Sequence, residues 1–297
     1  MIDDLALARL FDSAQTYLEE GKVLHALQVY RRITAAAPNN EYGWIQLSRV
    51  LMELRKLGPA EQALLSAVRV SKRPAEILLL VGDFHLRAGQ LSKAQAFYRK
   101  ALLHEQALTR ASRARLHFHA GLIRRERHQN RLAEYHFRRA RAVDQAFPRV
   151  NETLAEILLQ RGATPEATHI LRQALSANPY SAPAHYLLGK AHAASGRWDQ
   201  AYREFVTAID MDPNQASSWQ MCGEALLSLQ NLEEAERYLA KAIELNPACT
   251  EAFADFGELY LRKGDSGRAL SYFEQALELE PGHRKALWGK RRISSSR

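Results

Sequence analysis

The sequence predicts an all-α solenoid of eight 34-residue helix-turn-helix repeats closed by a short basic helix, and three observations predict it. Pro179, Pro213, Pro247 and Pro281 follow one another at intervals of 34 residues. With that spacing carried back along the chain, the twentieth position of every unit is alanine: Ala26, Ala60, Ala94, Ala133, Ala167, Ala201, Ala235 and Ala269. The eighth position is always small: Ala14, Ser48, Gly82, Gly121, Ala155, Gly189, Gly223 and Gly257. The units run 7–40, 41–74, 75–108, 114–147, 148–181, 182–215, 216–249 and 250–283, with one insertion, Thr109 to Arg113, and residues 284–297 follow as a basic capping helix and tail.

Each position has a physical reason. A small eighth residue lets two helix backbones approach where a larger side chain would overpack the contact, and the alanine at twenty is the matching small surface on the second helix. The twenty-fourth residue is bulky (Tyr30, Leu64, Tyr98, Phe137, Leu171, Phe205, Leu239, Phe273) and lies four residues after the alanine, hence on the same helical face and in the core. Position fifteen is glycine in five units (Gly21, Gly89, Gly162, Gly196, Gly264), suiting the left-handed residue that ends a helix before a tight turn. Proline near the end of the unit stops the second helix, because it lacks an amide hydrogen and clashes with the preceding turn. Arg55 and His128 replace the turn glycine, and Lys72, Gln106 and Gln145 replace the proline, so repeats two to four are expected to have the loosest boundaries. After Pro281, Leu287 occupies a fourth position but Lys290 and Arg291 stand where core residues belong, which predicts a solvating cap.

These positions resemble the tetratricopeptide repeat, W-x2-L-G-x2-Y, A-x3-F, P. The eighth unit reads Phe253, Phe256, Gly257, Tyr260, Ala269, Phe273, Pro281, and the seventh reads Trp219, Cys222, Gly223, Leu226, Ala235, Leu239, Pro247. The resemblance implies a right-handed superhelix whose first helices form a concave wall, with positions two, five, nine and twelve projecting into it. It also implies a protein that holds another macromolecule.

Composition agrees: 46% apolar and 25% charged residues suffice for a continuous core. No run of eighteen apolar residues exists to span a bilayer, and Asp3 and Asp4 stand where a secretory signal carries positive charge, so a soluble cytoplasmic protein is expected. Cys222 and Cys249 form neither a CxxC pair nor a metal-ligand cluster. Phosphate-cradling, dinucleotide, zinc-protease and serine-hydrolase motifs are absent, so neither an enzyme nor a cofactor is expected. His185 and His192 lie seven apart on one helical face, but at core positions four and eleven, and His85 shares position eleven; no metal site is expected.

The net charge of +8 is uneven. Residues 99–149 hold thirteen Lys/Arg against four Asp/Glu, and the segment from Arg284 onward adds six positive charges and no negative ones. On the wall, position nine reads Gln15, Arg49, Asp83, Leu122, Glu156, Lys190, Glu224, Glu258, so Arg49 is expected to face Asp83, and Lys190 to sit between Glu156 and Glu224. Arg115 and Arg149 at position two, Arg125 at twelve, and the aromatic Tyr42, Phe118 and Tyr186 complete the candidate groove: Tyr42, Arg49, Arg115, Phe118, Arg125, Arg149, Tyr186 and Lys190. Positive charge interleaved with rings suits an extended acidic peptide. The family's clamp for a chaperone C-terminus is not matched, since Phe11 and Gln15 are followed by Gln46. The alternative partner is nucleic acid, read by Arg131, Arg138, Arg139 and Arg141 with the basic tail.

Overall fold

In the computed structural model, which describes residues 3–147 and 149–295, helices are the only regular elements among the described residues. They pair along the chain as α1 (Asp4–Glu19) with α2 (Val23–Ala36), α3 (Glu41–Glu53) with α4 (Leu57–Val70), α5 (Pro74–Arg87) with α6 (Leu91–Leu102), and α7 (Arg110–Glu126) with α8 (Asn130–Val143). The pairing continues through α9 (Val150–Gln160) and α10 (Thr164–Ala177), α11 (Ala182–Ala194) and α12 (Trp198–Met211), α13 (Ala216–Ser228) and α14 (Leu232–Leu245), and α15 (Thr250–Arg262) and α16 (Ser266–Leu279), ending on α17 (Arg284–Ser295). The chain divides into two compact units, residues 1–147 and 148–297. Several helices start on a side-chain cap: Asp3, Asn40, Thr109, Ser181, Asn231 and Asp265 each accept a backbone N–H of the first turn.

The five turn glycines are all left-handed, with φ between 71° and 81° at Gly89 and Gly162 for example. Arg55, His128 and Gln230 adopt the same conformation at the same position of their hairpins, with φ of 56°, 57° and 64°. Missing glycine therefore does not loosen these turns. The hairpin packing on either side imposes the left-handed residue, and the non-glycine side chain carries the steric cost.

The small eighth residue serves a purpose the periodicity did not reveal. A Cβ built at Gly189 would stand 2.5 Å from the Phe205 ring, and one at Gly121 would stand 2.6 Å from Phe137. Position eight is thus a socket for the ring at position twenty-four, while the position-twenty alanines are fully buried beside it. A second column of small residues also went unread: Ala67, Ala101, Ala140, Ala208, Ala242 and Ala276 recur at position twenty-seven, all fully buried. The first hairpin has Ile33 there instead, and the next repeat answers with Gly43, whose added Cβ would lie 2.9 Å from Ile33. Position four is a latch. Trp44 donates its indole N–H to the Pro38 carbonyl and Trp219 to that of Pro213, both at 2.8 Å, and His185 Nε2 makes the same link to Pro179 at 3.0 Å.

Two local expectations change. The insertion is not a break between elements: Thr109 caps α7, and residues 110–113 become its first turn. Glu76 of α5 fastens it, accepting from Thr109 N–H at 2.9 Å and Ser112 Oγ at 2.6 Å. The terminal helix α17 packs through Ala286, Gly289 and Ile293, while Leu287 is exposed. The face of α17 turned inward is the one that fits the Phe273 ring, so Gly289, not the fourth position, meets the core.

Candidate binding surfaces

In the first unit the first helices α3, α5 and α7 line a recess of about 160 Å³. Arg49, Arg87 and Arg115 converge on it with Asp83, and Ile45, Met52, Leu80 and Phe84 supply an apolar side. Arg49 does not face Asp83 as an ion pair. The Asp83 carboxylate is buried and turned inward: its Oδ1 accepts from Tyr98 Oη at 2.8 Å and lies 2.7 Å from His119 Nδ1, and its Oδ2 stands 3.4 Å from Arg115 Nε. The hydroxyl that directs it belongs to a core tyrosine of the same hairpin, which no charge pattern along α3 could report. Burial and the adjacent carboxylate drive the Tyr98 phenol far above its usual value, so it remains a donor.

Phe118 leaves the candidate groove. It is only 7% exposed and packs on Phe137 and Phe147, with ring centroids 5.6 and 5.2 Å away, because α7 turns position five onto the core of its own hairpin. Tyr42, 55% exposed, rests on Phe11 two turns before Arg49 on α3. Arg125 is half-buried near the end of α7 and is engaged by neighbouring groups.

In the second unit Arg149 precedes α9 in the left-handed conformation, φ 63°, and so does not project from a helix as position two was expected to. Tyr186 is half-buried against Phe205, and Lys190 Nζ lies 5.6 Å over its ring. Lys190 acts on Glu224 through its charge, as expected of its register, but the close cation of that cluster comes from α17. Lys285 of α17 stands 3.9 Å from Glu224 and pairs closely with Asp255, whose other oxygen accepts from Gln220 at 2.5 Å. Burial raises the Asp255 and Glu224 carboxyls above the ordinary carboxylate range, and Lys285 opposes the rise in both. Lys290 pairs with Glu274 and Arg292 with Glu258, so the basic C-terminal helix is in large part bound to the acidic last repeat.

The arginine-rich middle is similarly committed. Arg139 pairs with Glu105 at 3.1 Å, Arg138 with Glu134, Arg127 donates to Ser92, and Arg110 caps the Val143 carbonyl at 2.7 Å. Within it His117, almost fully buried, meets His136 through their Nδ1 atoms at 3.1 Å and Glu105 through Nε2 at 3.1 Å. Burial, the facing His117 and Arg124 pull His136 down to about 4; burial also lowers His117, with Glu105 acting in opposition. A folded pKa below the unfolded value near 6.5 means that the unfolded chain takes up protons first. The contribution of the neutral pair is therefore complete above about pH 6.5 and is lost as pH falls toward 4. Between pH 7 and 5 the first unit is expected to lose ~2 kcal/mol more than a His136→Gln variant does, measured by urea unfolding at each pH. Equal losses in the two proteins would show that the pair does not titrate on unfolding.

The histidines at positions four and eleven, His85, His185 and His192, are structural. His192 is buried and its Nδ1 accepts from Arg197 Nε at 3.0 Å; His85 is fully buried and stacks on Phe97. His185 holds the latch described above and bonds Glu204 at 2.7 Å. Cys222 and Cys249 are buried thiols, and burial raises both above the usual thiol value, Cys222 far above it. No helix of the described residues is long and apolar enough to cross a membrane.

Sequence patterns of the tetratricopeptide repeat match residues 45–111, 158–225, 193–256 and 250–283. No curated protein matches the sequence. Among solved structures, a chain of the Cut9–Hcn1 hetero-tetramer of the APC/C is similar at 18% identity and a TM-score of 0.64, over 98% of this chain. The present chain spans 57% of that one's length. A tetratricopeptide repeat protein from Parabacteroides merdae is similar at 15% identity and a TM-score of 0.62, over 86% of this chain and 98% of its own. Pseudomonas aeruginosa pilF is similar at 20% identity and a TM-score of 0.60, over 75% of this chain and 97% of its own.

Proposed function

Because the chain belongs to the tetratricopeptide repeat family, we propose that it is an adaptor or assembly scaffold that holds a peptide segment of a protein partner along its first helices, and that it performs no chemistry of its own. The observation that carries this reading is the division of labour within each hairpin. Positions eight, twenty, twenty-four and twenty-seven are consumed by packing, whereas first helices keep charged and aromatic side chains such as Tyr42, Arg49 and Arg87 at the surface. An interface needs accessible anchors on a rigid support, and these helices supply both. The unpaired buried thiols suit a reducing compartment, which supports placing the protein in the cytoplasm.

Nucleic acid is the weaker alternative, because Arg110, Arg127, Arg138, Arg139, Lys285 and Lys290 already have partners within the protein. Phosphate binding would weaken steeply with salt, which a titration at two salt concentrations reads directly. The test of the main reading is cross-linking of the full chain to its partner in native cells, followed by mapping of the linked residues. Cross-links are expected on α3, α5, α7, α11 and α13. Links confined to second helices, around exposed Arg32 and Arg131, would overturn the assignment of the surface.

A further inference from the structure

We propose that the recess between α3, α5 and α7 is an anchor for an acidic side chain followed by a bulky apolar one in an extended peptide; this rests on the peptide-holding function proposed above. Three guanidinium groups, those of Arg49, Arg87 and Arg115, border one space of about 160 Å³ against a single carboxylate, Asp83. That carboxylate is already engaged. Its Oδ1 is shared by Tyr98 and His119, and its Oδ2 reaches Arg115 only at ion-pair distance, 3.4 Å, outside hydrogen-bond geometry. Arg115 Nε is consequently a buried donor without a hydrogen-bond partner. Arg49 and Arg87 are exposed, and among the described residues no carboxylate lies within ion-pair distance of either.

The recess thus has an excess of positive charge, carried at the surface by Arg49 and Arg87, which a second carboxylate satisfies. The guanidinium fork accepts a carboxylate in a two-bond geometry that a point charge does not offer. The apolar side formed by Ile45, Met52, Leu80 and Phe84 selects between anionic ligands. A hydrated phosphate or a nucleic-acid backbone leaves that surface uncovered, whereas an acidic residue next to leucine, isoleucine, methionine or phenylalanine covers both halves. Arg49, Asp83 and Arg115 come from three successive repeats, so the anchor exists only where α3, α5 and α7 stack.

The experiment uses the labelled full chain on an array of synthetic nine-residue peptides, acetylated and amidated, with free-acid and phosphoserine versions as separate arms. Bound peptides are then measured by fluorescence anisotropy. We expect the amidated arm to be enriched in Asp or Glu beside a bulky apolar residue, and Asp→Asn in such a peptide to raise Kd at least tenfold. Arg49→Glu with Arg87→Glu should raise Kd for the acidic peptide at least tenfold and for its Asn counterpart less than twofold, with an unchanged melting temperature. Arg49→Met with Arg87→Met should act in the same direction more weakly. Equal affinity for the acidic and amide peptides, binding confined to free-acid or phosphoserine peptides, or displacement of the acidic peptide by single-stranded RNA would overturn the anchor. Peptide binding that shows no acidic preference sinks this inference alone; absence of any peptide binding sinks the peptide-holding reading with it.

Discussion

Gly189→Ala is expected to destabilise the second unit by ~2–3 kcal/mol, although alanine is the better helix former by about 1 kcal/mol. The reversal of sign comes from the socket. Gly189 lies inside α11, and a methyl group there would stand 2.5 Å from Phe205, which is fully buried and cannot swing aside. Gly223 is the informative comparison, since its added Cβ would meet the branched end of Leu239, a side chain with alternative rotamers, so Gly223→Ala should cost less. Gly267, within α16 and with only an ordinary contact of 3.5 Å to Asp265 from an added Cβ, should tolerate alanine or gain from it. Urea unfolding followed by tryptophan fluorescence reads the first two cases well, because Trp198, Trp219 and Trp288 all lie in the second unit. Pairing Gly189→Ala with Phe205→Leu should recover part of the loss. A Gly189→Ala protein as stable as the parent would refute the socket.

Lys285→Met should cost ~3–5 kcal/mol at pH 7, because it strips the one close cation among the described residues from a carboxylate that is 2% exposed. Arg262 and Arg292 are turned to Glu258, and Gln220 offers Asp255 a neutral hydrogen bond only. The pH dependence separates this from simple loss of packing. Burial holds the folded Asp255 carboxyl above its unfolded value near 3.9, and removing Lys285 raises it further. A raised folded pKa means that the cost of burying the charge appears as pH rises above the unfolded value and is absent below it. The deficit of the variant should therefore shrink steadily from pH 7 to pH 5. Asp255→Asn in the same chain should restore most of the stability at pH 7. A deficit that does not change with pH, or that Asp255→Asn leaves intact, would assign the effect to the packing of α17 instead.

The contrast between these two predictions mirrors what could be read at each level. The socket was half-legible: the periodic glycines and rings were plain in the sequence, but their pairing across sixteen residues needed the hairpin to be folded. The Lys285–Asp255–Glu224 cluster was not legible at all. Lys285 looked like part of a solvated basic tail, and Asp255 occupies a sixth position that holds no fixed residue type, being Gln46, Leu80, His119, Thr153 and Met221 in other repeats. The candidate groove fared unevenly for the same reason. Arg49 and Arg115 meet at one recess, but Arg87, which completes it, lies outside the positions assigned to the wall. Phe118 went to the core, and Arg149 fell before its helix. The alanine column at twenty-seven carried a sequence signal, a recurrence at 34 residues, whereas position four was plain in the sequence but its bond to the preceding proline carbonyl needed the fold.

The sequence by itself determined the hairpin period and the buried columns at positions eight, twenty and twenty-four, because these follow from interactions within one repeat that recur eight times and so reinforce one another. Only the tertiary structure decided which charges pair, which aromatic faces solvent and which turns hold arginine, histidine or glutamine in a left-handed conformation. Those outcomes depend on a single neighbour some thirty residues away, such as His119 for Asp83 or Lys285 for Asp255, and the energy of a buried ion falls so steeply with distance and exposure that no periodic pattern encodes it.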